Sequence, residues 1–597
     1  MSRPARLRWV WLLASVLSFS ACSESSEGPP DGGRVVTDAG TTPETRDAGQ
    51  DSGTDNQAPD AGPRDSGTDN QAPDAGPRDS GTDNQAPDAG PRDAGTDEDP
   101  WDGGFTPLPE LTDRVDQGDY SPCTFTPPAG SQPATCDDAA LFDLSQCTPE
   151  DFGTVDAHGY SVFELRPRMD QVSLSGMLTL PNDGGMGRMA AMPLVRQDIS
   201  SHGFFLTNNR NLADGGVRQY VLAGCKTLPA EGRIVGCYGQ CLNGRVTSKG
   251  TFDIERLTRV RGESESSGNV PWLSETFVAQ GVPVDVYVAK EHAYVVSITD
   301  RQRPAGGLSV YDVRDPRHPV LTKTLSLPND NYWNGVWAKG DALYVASGAT
   351  GVLVFDISAP ANPVLLRNLP GGPPINVHTV FVEGDRLYAM SPSPNAEVLI
   401  FDVSAPRSPV LLNRVVVPES YGYPHDAFAY QGRLYVNHTD SGYFILDVAN
   451  VDNVQVVGRY AFDLQYSHAN AVGTFAGRTI AFEGGEQSGA HLRVLDVTDP
   501  AQISLIAEYK LRPLVSIHNM VLKNKRLYVA YYQEGLRVLD VSIPTQPREI
   551  AYVNTYNETD AFRGDSLFDG AIGIRVPGDG HVYVVDTARG LLIFDEP

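Results

Sequence analysis

Leu308-Ser-Val-Tyr-Asp312 returns as Val352-Leu-Val-Phe-Asp356, Val398-Leu-Ile-Phe-Asp402, Tyr443-Phe-Ile-Leu-Asp447, Leu492-Arg-Val-Leu-Asp496, Leu536-Arg-Val-Leu-Asp540 and Leu591-Leu-Ile-Phe-Asp595. Successive aspartates lie 44, 46, 45, 49, 44 and 55 residues apart. Several copies run on as Asp-Val-Ser-x-Pro, for example Asp356-Ile-Ser-Ala-Pro360 and Asp402-Val-Ser-Ala-Pro406. A strand-like run such as Ala342-Leu-Tyr-Val-Ala346 or Arg386-Leu-Tyr-Ala389 precedes each marker. Another precedes that, such as Gly335-Val-Trp-Ala338 or His378-Thr-Val-Phe-Val382, and a fourth follows the proline, such as Pro363-Val-Leu-Leu-Arg367. Four short strands per unit of about 45 residues is the pattern of a propeller blade. Seven copies predict an all-β, seven-bladed β-propeller over 271–597. The last copy stops at Pro597, after its third strand. Pro271-Trp-Leu-Ser-Glu-Thr-Phe277 is similar to Pro363-Val-Leu-Leu-Arg-Asn-Leu369, so 271–278 is expected to pair with 590–595 and close the ring, removing two open sheet edges.

The units resemble the LVIVD repeat of bacterial surface and secreted propellers. The resemblance rests on Leu343-Tyr-Val-Ala346, Gly351-Val-Leu-Val-Phe-Asp-Ile-Ser358 and their counterparts. It implies a cell-surface or periplasmic location and no common activity, since propellers serve binding, scaffolding and catalysis alike.

Outward from the repeats, the chain changes character. Its 597 residues carry a net charge of −28, which excludes a nucleic-acid partner by phosphate repulsion. The acidity is concentrated before residue 120. Arg3, Arg6 and Arg8 precede an apolar run from Trp9 to Ala21 that is too short to span a bilayer, so 1–21 reads as a signal peptide. Phe19-Ser-Ala-Cys22 resembles a lipobox, which implies lipidation of Cys22 and a membrane partner through that lipid. Ser23 after it resembles outer-membrane sorting signals of Gram-negative bacteria. Residues 22–119 are too poor in large apolar groups to form a core and read as a disordered acidic tether. Within them Asp51-Ser-Gly-Thr-Asp-Asn-Gln-Ala-Pro-Asp-Ala-Gly-Pro-Arg64 is repeated at 65–78 and 79–92, as in a spacer.

Cys123, Cys136, Cys147, Cys225, Cys237 and Cys241 all lie in 120–265. An even number in an exported protein predicts disulfides, with connectivity open. Alternating runs such as Tyr160-Ser-Val-Phe-Glu-Leu165 and Thr251-Phe-Asp-Ile254 predict a small disulfide-bonded β domain there, sandwich or barrel.

No nucleophile, zincin or phosphate-loop motif is present. The marker aspartates are expected to cap their own turns. Histidine is more informative. His378, His425 and His518 begin first strands in one register, and His468 joins them if the following loop is two residues longer. Asn334 holds the place in the second unit. First strands line a propeller channel, so these side chains are expected to converge at its mouth, walled by Tyr332, Trp333, Tyr423 and Tyr466. Imidazoles so placed suit a divalent metal or an anionic ligand; no other cofactor is predicted. The long polar loop at 557–566 is expected to serve as a further recognition element; its Arg563-Gly-Asp565 triplet is short enough to arise by chance. The reading is a lipid-anchored envelope propeller that binds a protein or glycan on its face. Metal-dependent hydrolase or lyase chemistry at the histidines, and a scaffold of a surface assembly, are the alternatives.

Overall fold

The computed structural model describes residues 100–109, 124–125, 136–144, 157–167, 174–190, 192–228, 232–257, 264–299, 303, 305–418, 422–462, 466–563 and 566–597. The signal sequence, Cys22, the 14-residue repeats, Cys123 and Cys147 lie outside them. Seven antiparallel sheets form the C-terminal half. Their inner strands are Val282–Ala289, Trp333–Lys339, Thr379–Glu383, Asp426–Tyr430, Ser467–Phe475, Met520–Lys523 and Ala571–Arg575. These meet in that order and the last meets the first, so the blades, numbered 1 to 7 accordingly, make a closed ring. Trp272–Thr276 supplies the outer strand of blade 7, with Trp272 opposite Phe594 and Thr276 opposite Leu591. This is the expected closure.

The marker runs are third strands, and each is covered on both faces. Val352, Leu353, Val354 and Phe355 are all buried, which is why they read as an unbroken apolar run rather than an alternation. The marker aspartates are turn residues. Asp356 accepts from the Ser358 N–H at 2.8 Å, Asp402 from Ser404 at 2.7 Å, Asp496 from Thr498 at 2.9 Å and Asp540 from Ser542 at 3.0 Å. The prolines that follow join blade to blade: the Tyr294 hydroxyl donates to Pro360 O at 3.1 Å and that of Tyr344 to Pro406 O at 2.7 Å. From blade 1 to blade 3 a second-strand tyrosine thus meets the Ser-x-Pro proline of the next blade.

The middle region is a closed eight-stranded barrel that begins with Gly159–Pro167 and ends with Arg245–Arg256, the two pairing to shut it. Phe163, Leu165, Leu206, Leu222, Phe252 and Ile254 fill it. A disulfide joins Cys136 to Cys241, with Cα atoms 6.1 Å apart, within the usual span. Cys237 is disulfide-bonded as well, and Cys225 falls in the strand Val217–Leu228. The barrel is docked on blades 5 and 6. Glu255 accepts from the Leu514 N–H at 3.0 Å, Arg512 donates to Leu257 O at 2.8 Å, and Arg256 pairs with Glu558 at 3.2 Å.

Two segments outside the repeats cover blade edges. Ser266–Ser267 adds a fifth strand to blade 6, opposite Tyr552 and Val553. Residues 100–109, inside the stretch read as tether, lie against blade 5. Trp101 is buried in its core, Arg478 donates to Gly103 O at 2.7 Å, and the Leu108 N–H donates to Leu505 O at 2.8 Å. Trp101, Phe105 and Leu108 are the apolar groups that allow this, and the preceding repeats have no counterparts. Among the described residues no helix is long and apolar enough to cross a membrane.

Candidate functional site

The histidines converge. Backbone ladder bonds hold three of them at the heads of inner strands: His378 N–H to Met390 O at 2.8 Å, His425 N–H to Asn437 O at 2.8 Å and His518 N–H to Ala530 O at 3.0 Å. His468 sits in a bulge between the Ser467–Gly485 and Ala469–Gly484 pairs, and a bulge re-aims a side chain. Each of the two strands of this hairpin is longer by two residues at the hairpin end, where Thr474 faces Thr479 and Phe475 faces Arg478. The extra residues are not in the loop, as the register had implied. The equivalent positions in blades 1, 2 and 7 are Val284, Asn334 and Ile572.

Asn334 Nδ2 lies 3.1 Å from His378 Nε2, and that nitrogen is 2.8 Å from His425 Nε2. Ring centroids then step 4.2 Å from His425 to His468 and 4.1 Å from His468 to His518. The His518 Nδ1–H donates to Ile572 O at 2.7 Å. At the far end stands Glu486, which the sequence reading missed. One carboxylate oxygen is 3.6 Å from His468 Nε2, the other 3.6 Å from His518 Nε2, and Tyr532 O–H donates to it. Each of the four histidines is at most 4% exposed, and Glu486 is 1% exposed. Burial pushes His378 and His518 down to about 3. Burial and then neighbouring imidazoles hold His425 and His468 well below their usual range. Burial pushes Glu486 up to about 7, against the Tyr532 hydrogen bond. The row is therefore neutral imidazole at neutral pH.

The expected aromatic walls divide. The Tyr423 and Tyr466 hydroxyls bond at 2.5 Å, and the Tyr466 ring lies 5.6 Å from that of His425. Trp333 instead is fully buried between blades, its indole held by Asp330 at 3.0 Å, because its side chain points away from the mouth into the packed sheet. Arg563 is likewise withdrawn. It pairs with Asp586 at 3.0 Å and with Asp560 at 3.2 Å, so the Arg563-Gly-Asp565 triplet does not present its cation.

A second feature lies on the outer rim. The outer strands Val320–Leu325, Val364–Leu369 and Val410–Val416 belong to consecutive blades 1, 2 and 3. Val320, Leu321, Val364, Leu365, Leu366, Val410, Leu411 and Leu412 are all exposed there. A single exposed leucine needs no explanation; an aliphatic band shared by three neighbouring blades marks an interaction surface.

The LVIVD repeat family matches residues 332–369 and 518–555. The chain carries LVIVD repeats. The first match spans blade 2 from Tyr332 to the end of its exposed outer strand. The second runs from His518 through blade 6. The repeat is thus matched in blades with and without a histidine at their head. No curated protein matches the chain. Among solved structures, the computationally designed Ika8 protein is similar over 54% of this chain and 99% of its own, at 10% identity and a TM-score of 0.39; at that score the likeness carries no argument.

Proposed function

We propose that the protein is a lipid-anchored interaction module of the cell envelope, and that it holds a partner protein along the rim of blades 1 to 3. The anchor is Cys22, whose replacement, Cys22→Ser, is expected to move the protein from the membrane to the soluble fraction. The observation that carries the rim reading is the exposed apolar edge of three adjacent blades, unpaired among the described residues. The occupant we assign is an extended segment of the partner, apolar at alternate positions, that adds a strand to the sheet edge. The chain does this to itself on blade 6, where Ser266–Ser267 is the added strand, and lays Leu108 against blade 5 through one backbone bond. Lys323 and Arg367 share one register on the blade 1 and blade 2 edges. Such side chains discourage indiscriminate edge pairing and favour a segment that also carries acidic groups.

Hydrolase or lyase chemistry would need a substrate position beside the histidines. Their closure favours the interaction reading. The test uses decapeptides selected by display against the full chain. Enriched sequences should alternate apolar and polar residues, and their binding should fall by about tenfold or more in Leu365→Lys and Leu411→Lys. Peptides that bind the variants equally well would overturn the rim reading.

A further inference from the structure

Hydrogen bonds fix which nitrogens of the channel row are lone pairs. A carbonyl only accepts, so His518 carries its proton on Nδ1, facing Ile572 O, and its Nε2 is a lone pair 3.6 Å from Glu486. Asn334 Nδ2 only donates, so His378 Nε2 accepts. The 2.8 Å contact then requires His425 to donate through Nε2, which leaves its Nδ1 as a lone pair. His425 Nδ1, both nitrogens of His468 and His518 Nε2 find no hydrogen-bond partner, although all are buried. Each such orphan costs on the order of 1–3 kcal/mol. A cation answers lone pairs and a carboxylate together.

The geometry points to a transition-metal site formed by His425, His468 and Glu486 that clasps blades 4 and 5 at the channel mouth. One ligand atom from each of His425, His468 and Glu486 lies within 4.8 Å of the others. The 3.6 Å separation of Glu486 Oε2 from His468 Nε2 is close to the edge of a tetrahedron with metal–ligand distances of about 2.1 Å. Imidazole and carboxylate donors in that geometry suit zinc. His378 behind His425 orients that ligand, as outer-shell partners do. Three buried protein ligands leave the fourth tetrahedral position to a water. This inference does not rest on the rim reading.

The full chain, loaded with Zn(II) and desalted, is expected to hold about one zinc per chain by elemental mass spectrometry. Co(II) in its place should show tetrahedral visible bands. His468→Ala and the near-isosteric Glu486→Gln should each lower zinc affinity by about tenfold or more and remove the Co(II) bands. His318→Ala, at an exposed turn, should change neither. Chelator should lower the Tm of the parent and not that of His468→Ala. Absence of metal and of Co(II) bands in the folded parent would overturn the site and leave a cluster satisfied by water. So would stoichiometric zinc that survives both Glu486→Gln and His468→Ala.

Discussion

Leu365 in blade 2 and Leu505 in blade 5 occupy the same register position, opposite Phe355 and Leu495 in their third strands. Leu365 is 39% exposed and Leu505 is 2% exposed. Their neighbours repeat the contrast, with Leu366 at 40% and Ile506 at 3%. The repeat writes an apolar outer strand in both places. What differs is outside the repeat: residues 100–109 lie on blade 5, while nothing in the described residues lies on blade 2. Covering an edge therefore takes a separate segment, and this chain spends its own segments on blades 5, 6 and 7. The side that carries the barrel is covered by the chain itself, and the opposite side is bare among the described residues.

The largest effect should come from reopening an edge that the ring itself needs. Deletion of 271–278 removes the outer strand of blade 7 and is expected to lower the Tm by on the order of 10 °C or to prevent folding. An unchanged melt would mean that ring closure contributes little. Next is the cover on blade 5. Trp101→Ala empties a buried site in the core of blade 5 and should cost about 3–5 kcal/mol in urea unfolding. The same measurement on Leu365→Ala should show less than about 0.5 kcal/mol. Similar costs for the two would erase the contrast between covered and bare edges.

A smaller effect belongs to the polar contact of the barrel with blade 5. Burial pushes Glu255 from 4.5 up to about 7, opposed by the charge of Arg512 and the Leu514 N–H. Between those values the folded protein holds a proton that the unfolded chain has released. Its contribution is therefore fully present below about pH 4.5 and is lost as pH rises through 7, by up to roughly 3 kcal/mol. Relative to Glu255→Gln, the parent should lose stability from pH 5 to pH 8. A difference that stays flat over that range would show that Glu255 does not titrate there.

The fold was legible because a propeller repeats its physics. Marker aspartates such as Asp356 and Asp402 cap their own turns and Tyr344 meets Pro406 of the next blade, so local spacing carries the architecture, and the spare strand at 271–278 showed how the ring closes. The histidine row was legible for the same reason, as a register shared by first strands. Glu486 was not. It follows the second strand of a single blade and reaches His468 and His518 only through the curvature of the ring, which spacing does not record. Trp101 was hidden by its setting, one aromatic after a long polar spacer. Trp333 misled because sequence gives a position near the mouth but not the direction of the side chain, which turned into the sheet.

The most direct test of the bare rim is site-specific photocross-linking in the producing cell, with the probe at Leu366 and at Leu412 and, for comparison, at Ile506. The rim probes should both join one partner, mapped by mass spectrometry to one extended apolar segment, and Leu411→Lys should abolish the product. The Ile506 probe should give only the internal product with residues 100–109. Rim probes that react solely within the chain, or adducts indifferent to Leu411→Lys, would contradict a partner seated on blades 1 to 3.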